Sequence, residues 1–405
     1  MARVLTAIAL FALPSLSKSF SPLKFAKDGS FQISILEDLH FGENVQIHLA
    51  DTKADAWDTW GPEQDVDSVA VINEIFDKEF PDLVVLNGDL ITGDNAFLEN
   101  ATVYVDEIVA PLVERGLTWA STYGNHDSSY NLSREALFDR ERRYPNSRTK
   151  QMVFGKDSGV SNYYLPVFGA DNNDFVGAPA MLLWFFDSRG GYYFQELDES
   201  GDEIAQPNWV DTSVVDWFKE TNTQIKNKYH RTIPSLVFVH IPTNASLAAQ
   251  TEVGISTTHE PGINDDYTLA QQGEGWCAND TTSDSCTYGG QDVPFMEALV
   301  NTDGVIGVFS GHDHGDTWCY KWDKLLAGMS VKGNGINLCF GQHSGYGGYG
   351  SWIRGSRQIR VTEAMLSRRE VDTWIRLESG DIVGSVSLNG TYGEDTYPVT
   401  PDTLT

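Results

Sequence analysis

The chain has 405 residues, 41% of them hydrophobic and 21% charged. That is enough apolar material for a buried core, which excludes a wholly disordered chain. Lys and Arg number 28 against 57 Asp and Glu, a formal charge of −29. A field of that sign repels polyanions and excludes binding along a nucleic-acid polymer.

In chain order the N-terminus comes first. Arg3 precedes an apolar run over 4–13 that Pro14 ends, and Ser15 and Ser17 are the small residues a signal peptidase reads. The pattern predicts a signal peptide over 1–17, cut after Ser17. The run is too short for the roughly 20 apolar residues that cross a bilayer, and no later stretch is long enough, so no membrane span is expected.

Apolar runs at 31–36, 83–86, 117–122, 180–186, 235–239 and 305–309 predict buried strands. Helices are predicted between them: 66–80, where Val69, Ile72, Ile75 and Phe76 share one face, then 101–115, 210–229 and 293–300. This alternation implies a layered α/β domain. The stretch 243–285 is long, polar and aperiodic, the mark of a functional or mobile loop. Beyond it, strands are predicted at 324–331, 335–340, 357–362, 371–377 and 382–388, completing a second sheet packed on the first. One domain is expected over about 25–390, with a loosely ordered tail at 391–405.

The four cysteines fit two disulfides in an oxidising compartment. Of the three connectivities, Cys277–Cys286 would close a turn-rich loop and Cys319–Cys339 would tie neighbouring strands. Sequons at Asn100, Asn131, Asn244, Asn279 and Asn389 offer sites for N-linked glycans. Together these point to a secreted, extracellular or cell-wall protein.

Polar residues follow the strands at five places: Asp38-Leu39-His40, Gly88-Asp89, Gly124-Asn125-His126-Asp127, His240, and Gly311-His312-Asp313-His314. Ligands of open α/β sheets bind beyond the strands' carboxyl ends, so these blocks converge on one edge. Five of the nine histidines fall there. Histidine with carboxylate suits Zn, Fe, Mn or Co. His48, His230 and His259 carry no such signal. His343 lies in a Gly-rich loop with Tyr346 and Tyr349, where it either reaches substrate or stays a solvent-exposed loop residue. Arg354 and Arg357 could clamp phosphate or pair with surface carboxylates.

The ordered set of five blocks, spread over 38–314, resembles the calcineurin-like metallophosphoesterase superfamily. His240-Ile241-Pro242 and the Gly-rich block 342–350 extend the resemblance to its purple-acid-phosphatase-like fungal and plant members. It implies a four-layer α-β-β-α sandwich, an α/β (α+β) fold of two mixed sheets flanked by helices. It further implies two divalent or mixed-valence metal ions, chosen from Mn, Zn, Fe, Co or Mg. Asp38, His40, Asp89 and His314 would hold one; Asp89, Asn125, His240 and His312 would hold the other, with Asp89 bridging. His126 would stand beside the ions as a proton donor, and Asp127 would orient it or merely serve a turn. Purple acid phosphatases carry a Tyr three residues after the bridging Asp and a Gly at the position of His40. Thr92 replaces that Tyr, so no iron charge-transfer colour is expected.

Two metals about 3.5–4 Å apart lower the pKa of a bridging water, neutralise phosphate charge and align attack. The resemblance thus implies hydrolysis of a small phosphate monoester by a bridging hydroxide. A phosphodiesterase acting on cyclic nucleotides or phospholipid and sphingomyelin headgroups would use the same residues. A non-catalytic secreted binding protein is opposed by the filled ligand positions.

Overall fold

The computed structural model describes residues 21–43, 62–171, 177–266 and 269–404. The expected signal peptide and His48 lie outside the described residues. In chain order the strands are β1 (Leu23–Lys24), β2 (Ser30–Leu36), β3 (Leu83–Asn87), β4 (Trp119–Thr122), β5 (Tyr163–Phe168), β6 (Met181–Phe186), β7 (Tyr192–Leu197), β8 (Glu203–Ala205), β9 (Ser235–Val239), β10 (Val305–Ser310), β11 (Cys319–Trp322), β12 (Ile336–Phe340), β13 (Gly355–Thr362), β14 (Val371–Leu377) and β15 (Ile382–Leu388). The longer helices are α1 (Pro62–Phe76), α2 (Tyr104–Glu114), α3 (Arg134–Glu141), α4 (Thr212–Tyr229) and α5 (Val293–Asn301).

Two mixed sheets form, in the orders β1-β5-β6-β9-β10-β12-β11 and β15-β14-β13-β2-β3-β4, with β7-β8 a separate hairpin. Side chains alternate across a strand, and the central strands are apolar on both faces. Ile33, Ile35, Leu83 and Val85 of one sheet meet Leu183, Phe185, Leu236 and Phe238 of the other in one core. The intervening residues Leu36, Val84 and Leu86 pack on Ile72 and Ile75 of α1 and Ile108 and Leu112 of α2. Trp184, Phe186, Val237 and Val239 pack on Phe218 of α4 and Phe295 of α5. The result is the expected α-β-β-α sandwich.

Several sequence boundaries move. Among the described residues helix α1 runs Pro62–Phe76 against the expected 66–80, so it reaches further back and ends four residues sooner. Residues 324–331 form no strand; they turn at Gly328 (φ 74°), leaving one bridge between Leu325 and Lys332. Helix α3, capped by Ser133, strand β5 and the β7-β8 hairpin are additions to the sequence reading. The stretch 243–285 opens with a helical segment, Asn244–Ala248 followed by Ala249–Val253. The tail is not loose, because Tyr392 is buried and donates to the Cys319 carbonyl at 2.7 Å, and Ile353 N bonds Thr403 O at 2.9 Å. Both disulfides have the expected pairing, Cys319 and Cys339 standing directly opposite across β11 and β12. Among the described residues no helix is long and apolar enough to cross a membrane.

Asp292, before α5, gives a stability test away from the strand ends. Its carboxylate accepts from Asn244 N at 2.7 Å and from the Tyr288 hydroxyl, yet burial dominates and pushes it from 3.8 up to about 6. A raised acid contributes its full stability below about pH 4 and loses it as pH rises through about 6, a change of roughly 3 kcal/mol. Asp292→Asn is expected to flatten the urea-midpoint profile over that window; an unchanged profile would assign the slope elsewhere.

Candidate metal centre

Asp38 and His40 follow β2, Asp89 follows β3, the 124–127 turn follows β4, His240 follows β9, and His312 and His314 follow β10. Strands β2, β3 and β4 run parallel, as do β9 and β10, so these ends emerge together. The chain turns sharply there: Asp38, His40, Asp89 and His312 have φ of 53°, 49°, 47° and 77°. Left-handed backbone costs a non-glycine residue roughly 1–3 kcal/mol and concentrates at functional sites. Gly88 and Gly124 permit close approach, because a Cβ at either would overlap the His240 ring.

Two groups result, Asp38–His40–His314 and Asp89–His240–His312, each with ligand atoms within 4.8 Å of one another. Asp89 Oδ2 lies 2.9 Å from His240 Nε2 and 3.8 Å from His40 Nε2, so it faces both groups. Asp38 Oδ1 is 3.6 Å from His314 Nε2.

The hydrogen bonds around the rings test whether cations fit. His40 Nδ1 is 2.9 Å from Thr92 Oγ1, whose own proton goes to Glu43 Oε1 at 2.9 Å, so the ring nitrogen donates. His240 Nδ1 donates to the Asn87 carbonyl at 2.9 Å, and His314 Nδ1 to the Tyr349 carbonyl at 2.8 Å. With Nδ1 protonated, each Nε2 presents a lone pair. The Nε2 atoms of His40 and His314 face each other at 3.2 Å, an arrangement that needs a positive charge between them. Asn125 Oδ1 is buried without a hydrogen-bond partner. This N and O donor set, fixed by outer partners, fits divalent cations.

The same fields act on protons. Burial pulls His240 down, but the adjacent Asp89, with Asp38 behind it, prevails and raises it to about 10. Burial opposes ionised Asp89, yet His240 and His126 hold it well below the usual range. Burial takes His312 down to about 3, aided by the charge on His240. It also holds His40 well below its ordinary value.

His126 belongs to neither group. It lines a cavity of about 310 Å³ with Asn125, His312, Asp94 and others. Its Nδ1 is 3.6 Å from Asp94 Oδ2, and burial is outweighed by Asp89 and Asp94, which raise it to about 9. Four expected roles need correction. Asp127 does not orient His126: its oxygens accept from the backbone N–H of Leu90, Ile91 and Gly124 at 3.0, 3.0 and 2.8 Å, tying the β3 and β4 turns together. His343 is buried, its Nε2 on the Gly347 carbonyl and its ring 3.9 Å from that of His314, so it cannot reach substrate. Tyr349 stacks on His314 at 4.0 Å, completing a clamp.

Arg354 is also buried, and its guanidinium bonds the carbonyls of Gly345, Trp352 and Gly350; it is neither a phosphate clamp nor a surface ion pair. Arg357 is spent the same way, on Phe340 O, Thr317 O and Thr373 Oγ1. Sequence reasoning missed Arg134, buried on α3, which donates to Gly124 O at 2.6 Å and Gly190 O at 2.9 Å and so fixes the 124–127 turn. Nothing in the sequence pattern singles it out.

Parallel strand ends that bring two histidine–carboxylate groups to one edge of an α-β-β-α sandwich define a dimetal phosphoesterase architecture. The chain belongs to the calcineurin-like phosphoesterase family, whose model matches residues 38–316. It is 27% identical over 365 residues to the Arabidopsis thaliana protein named "Probable inactive purple acid phosphatase 14", covering 87% of this chain and 79% of that one. It is 28% identical over 359 residues to "Phosphatase DCR2" of Saccharomyces cerevisiae, covering 88% of this chain and 55% of the yeast protein. A solved dimetal phosphatase from Danio rerio aligns with a TM-score of 0.49 at 14% identity, over 89% of this chain and 98% of that one.

Proposed function

We propose that the chain hydrolyses phosphate monoesters, with Asp38, His40, Asp89 and His314 holding one metal ion and Asp89, Asn125, His240 and His312 the other. The observation that carries this reading is Asp89 Oδ2, set between His240 at 2.9 Å and His40 at 3.8 Å, one histidine from each group. Two ions bound there would supply Lewis acidity toward phosphate oxygens and an acidic water near neutral pH. The chain's own residues hold the geometry. Asn87, Thr92 and Tyr349 fix the three ring tautomers, and His126 stands in the adjoining cavity as the proton donor to the leaving oxygen.

The yeast relative's name supports a phosphatase. The Arabidopsis name includes "inactive", but each proposed ligand position in this chain holds an N or O donor. Of Mn, Zn, Fe, Co and Mg, the imidazole-rich set suits Mg least, since that ion prefers oxygen ligands. We also infer secretion, supported by the 1–17 pattern, two disulfides and the sequons.

The test is turnover of a mono- and a bis-aryl phosphate after metal removal and re-addition, one metal at a time. Turnover should vanish on removal, return on addition and favour the monoester at least tenfold. A tenfold preference for the diester would make the enzyme a phosphodiesterase. A folded chain inert with every metal would overturn the reading.

A further inference from the structure

We propose that the cavity beside His126 selects esters whose alcohol part carries a cationic amine, an amino alcohol, over neutral or anionic alcohols. This rests on the phosphoesterase reading and names its substrate class. The cavity of about 310 Å³ is lined by Asp94, Tyr192, Gln271, Glu274 and Trp276 besides the residues at the metal centre. No Lys or Arg is among the described residues lining it.

Two of its amide side chains are already engaged. Gln206 Nε2 donates to Ser128 Oγ and to the Tyr192 carbonyl, both at 3.0 Å. Asn208 Nδ2 donates to the Glu274 carbonyl at 2.9 Å, while its Oδ1 accepts from Gly273 N at 3.0 Å. Beside them stand the amides of Asn125 and Gln271, two carboxylates and two rings. Gln271 Oε1 is buried with no hydrogen-bond partner, on a residue only 5% exposed. The carboxylates of Asp94 and Glu274 add negative charge. Trp276 is held edge-on by Trp209 at 5.0 Å, and Tyr192 is 36% exposed.

The consequence is a sorting by charge. A second phosphate or a carboxylate on the alcohol would meet two carboxylates and, apart from His126 at the leaving oxygen, no cationic side chain to pair with. A neutral alcohol would displace water from those carboxylates and return nothing equivalent. A primary ammonium would answer both, donating to the carboxylates, and a quaternary one, which has no N–H, would pair with them by charge; either would lie against the Trp276 or Tyr192 rings. The volume of about 310 Å³ admits an alcohol the size of choline, on the order of a few tens of Å³ per group.

The experiment uses the metal-loaded full chain and four esters: phosphocholine, phosphoethanolamine, 3,3-dimethylbutyl phosphate (the neutral carbon isostere of phosphocholine) and phosphoglycolate. We expect kcat/KM at least about tenfold higher for one or both cationic esters than for the isostere, and lowest for phosphoglycolate. E274Q should bring the cation-to-neutral ratio within threefold of unity, and E274K should favour phosphoglycolate over the cationic esters.

A binding measurement runs alongside. Choline and 3,3-dimethylbutan-1-ol are titrated against tryptophan fluorescence, with choline expected tighter and E274Q abolishing the difference. Cationic and neutral esters within threefold of one another, or a ratio untouched by E274Q, would overturn the proposal while leaving the phosphoesterase intact. If no ester is hydrolysed, the phosphoesterase reading falls, and the alcohol titration alone decides the cavity's selectivity.

Discussion

Asp89→Asn is expected to cut metal-dependent turnover on the order of 10³-fold or more while the chain stays folded. The reason is the division of labour between its two oxygens. Oδ1 accepts from His126 N at 2.8 Å, and Oδ2 lies between His240 and His40. An asparagine keeps the first contact by placing its carbonyl oxygen on His126 N. Its NH₂ then occupies the Oδ2 position and donates toward His240 Nε2, whose Nδ1 proton is already given to Asn87. A shared anionic acceptor becomes a neutral donor, which repels a cation and satisfies the protein. Losing an outer partner of a metal ligand costs about 10–100-fold, so loss of a ligand facing both groups should exceed that. Elemental analysis should show metal content falling in the variant, with a thermal transition close to that of the parent. Retained metal and activity within tenfold would remove Asp89 from the centre of the site.

The parts legible in the sequence are those where chemistry and backbone coincide. Each of the five blocks ends an apolar run, and a polar residue directly after a buried strand must appear at that sheet's edge; Asp38, Asp89, Asn125, His240 and His312 all do. Continuous runs such as 181–186 are buried on both faces and announce a layered fold. What stayed hidden depends on partners far away in the chain. Arg354 reads as a surface charge, but three carbonyls of its own loop neutralise its burial. Asp127 looks like a companion to His126 because it is next in sequence, whereas its side chain faces the β3 turn. The cavity draws Tyr192 from an exposed hairpin and Glu274 and Trp276 from an aperiodic loop, elements that carry no period to read. Thr92 shows both sides. Its departure from the tyrosine of purple acid phosphatases is visible in sequence, but its bonds to His40 and Glu43 are visible only in three dimensions.

His126→Ala should separate substrates by leaving group. A proton donor matters most when the departing oxygen is a poor leaving group, so kcat for an alkyl phosphate is expected to fall about 10²–10⁴-fold. For p-nitrophenyl phosphate, whose leaving group needs no proton, the fall should be under about tenfold. The donor must be protonated at working pH. In the metal-free chain Asp89 and Asp94 raise His126 against the pull of burial, to about 9, and of the two only Asp94 stays free of the proposed metal ions. Activity toward alkyl esters should decline as rising pH deprotonates the His126 imidazolium. Asp94, 3.6 Å from Nδ1 and part-exposed, supplies one share of that field without lying in either ligand group. Asp94→Asn removes a negative charge that favours the protonated ring, so the alkaline limb for alkyl phosphates should move to lower pH while the aryl profile stays nearly unchanged. Equal losses on both substrates in His126→Ala would instead assign the residue to holding the 124–127 turn. An alkaline limb unmoved in Asp94→Asn would place the controlling proton on another group.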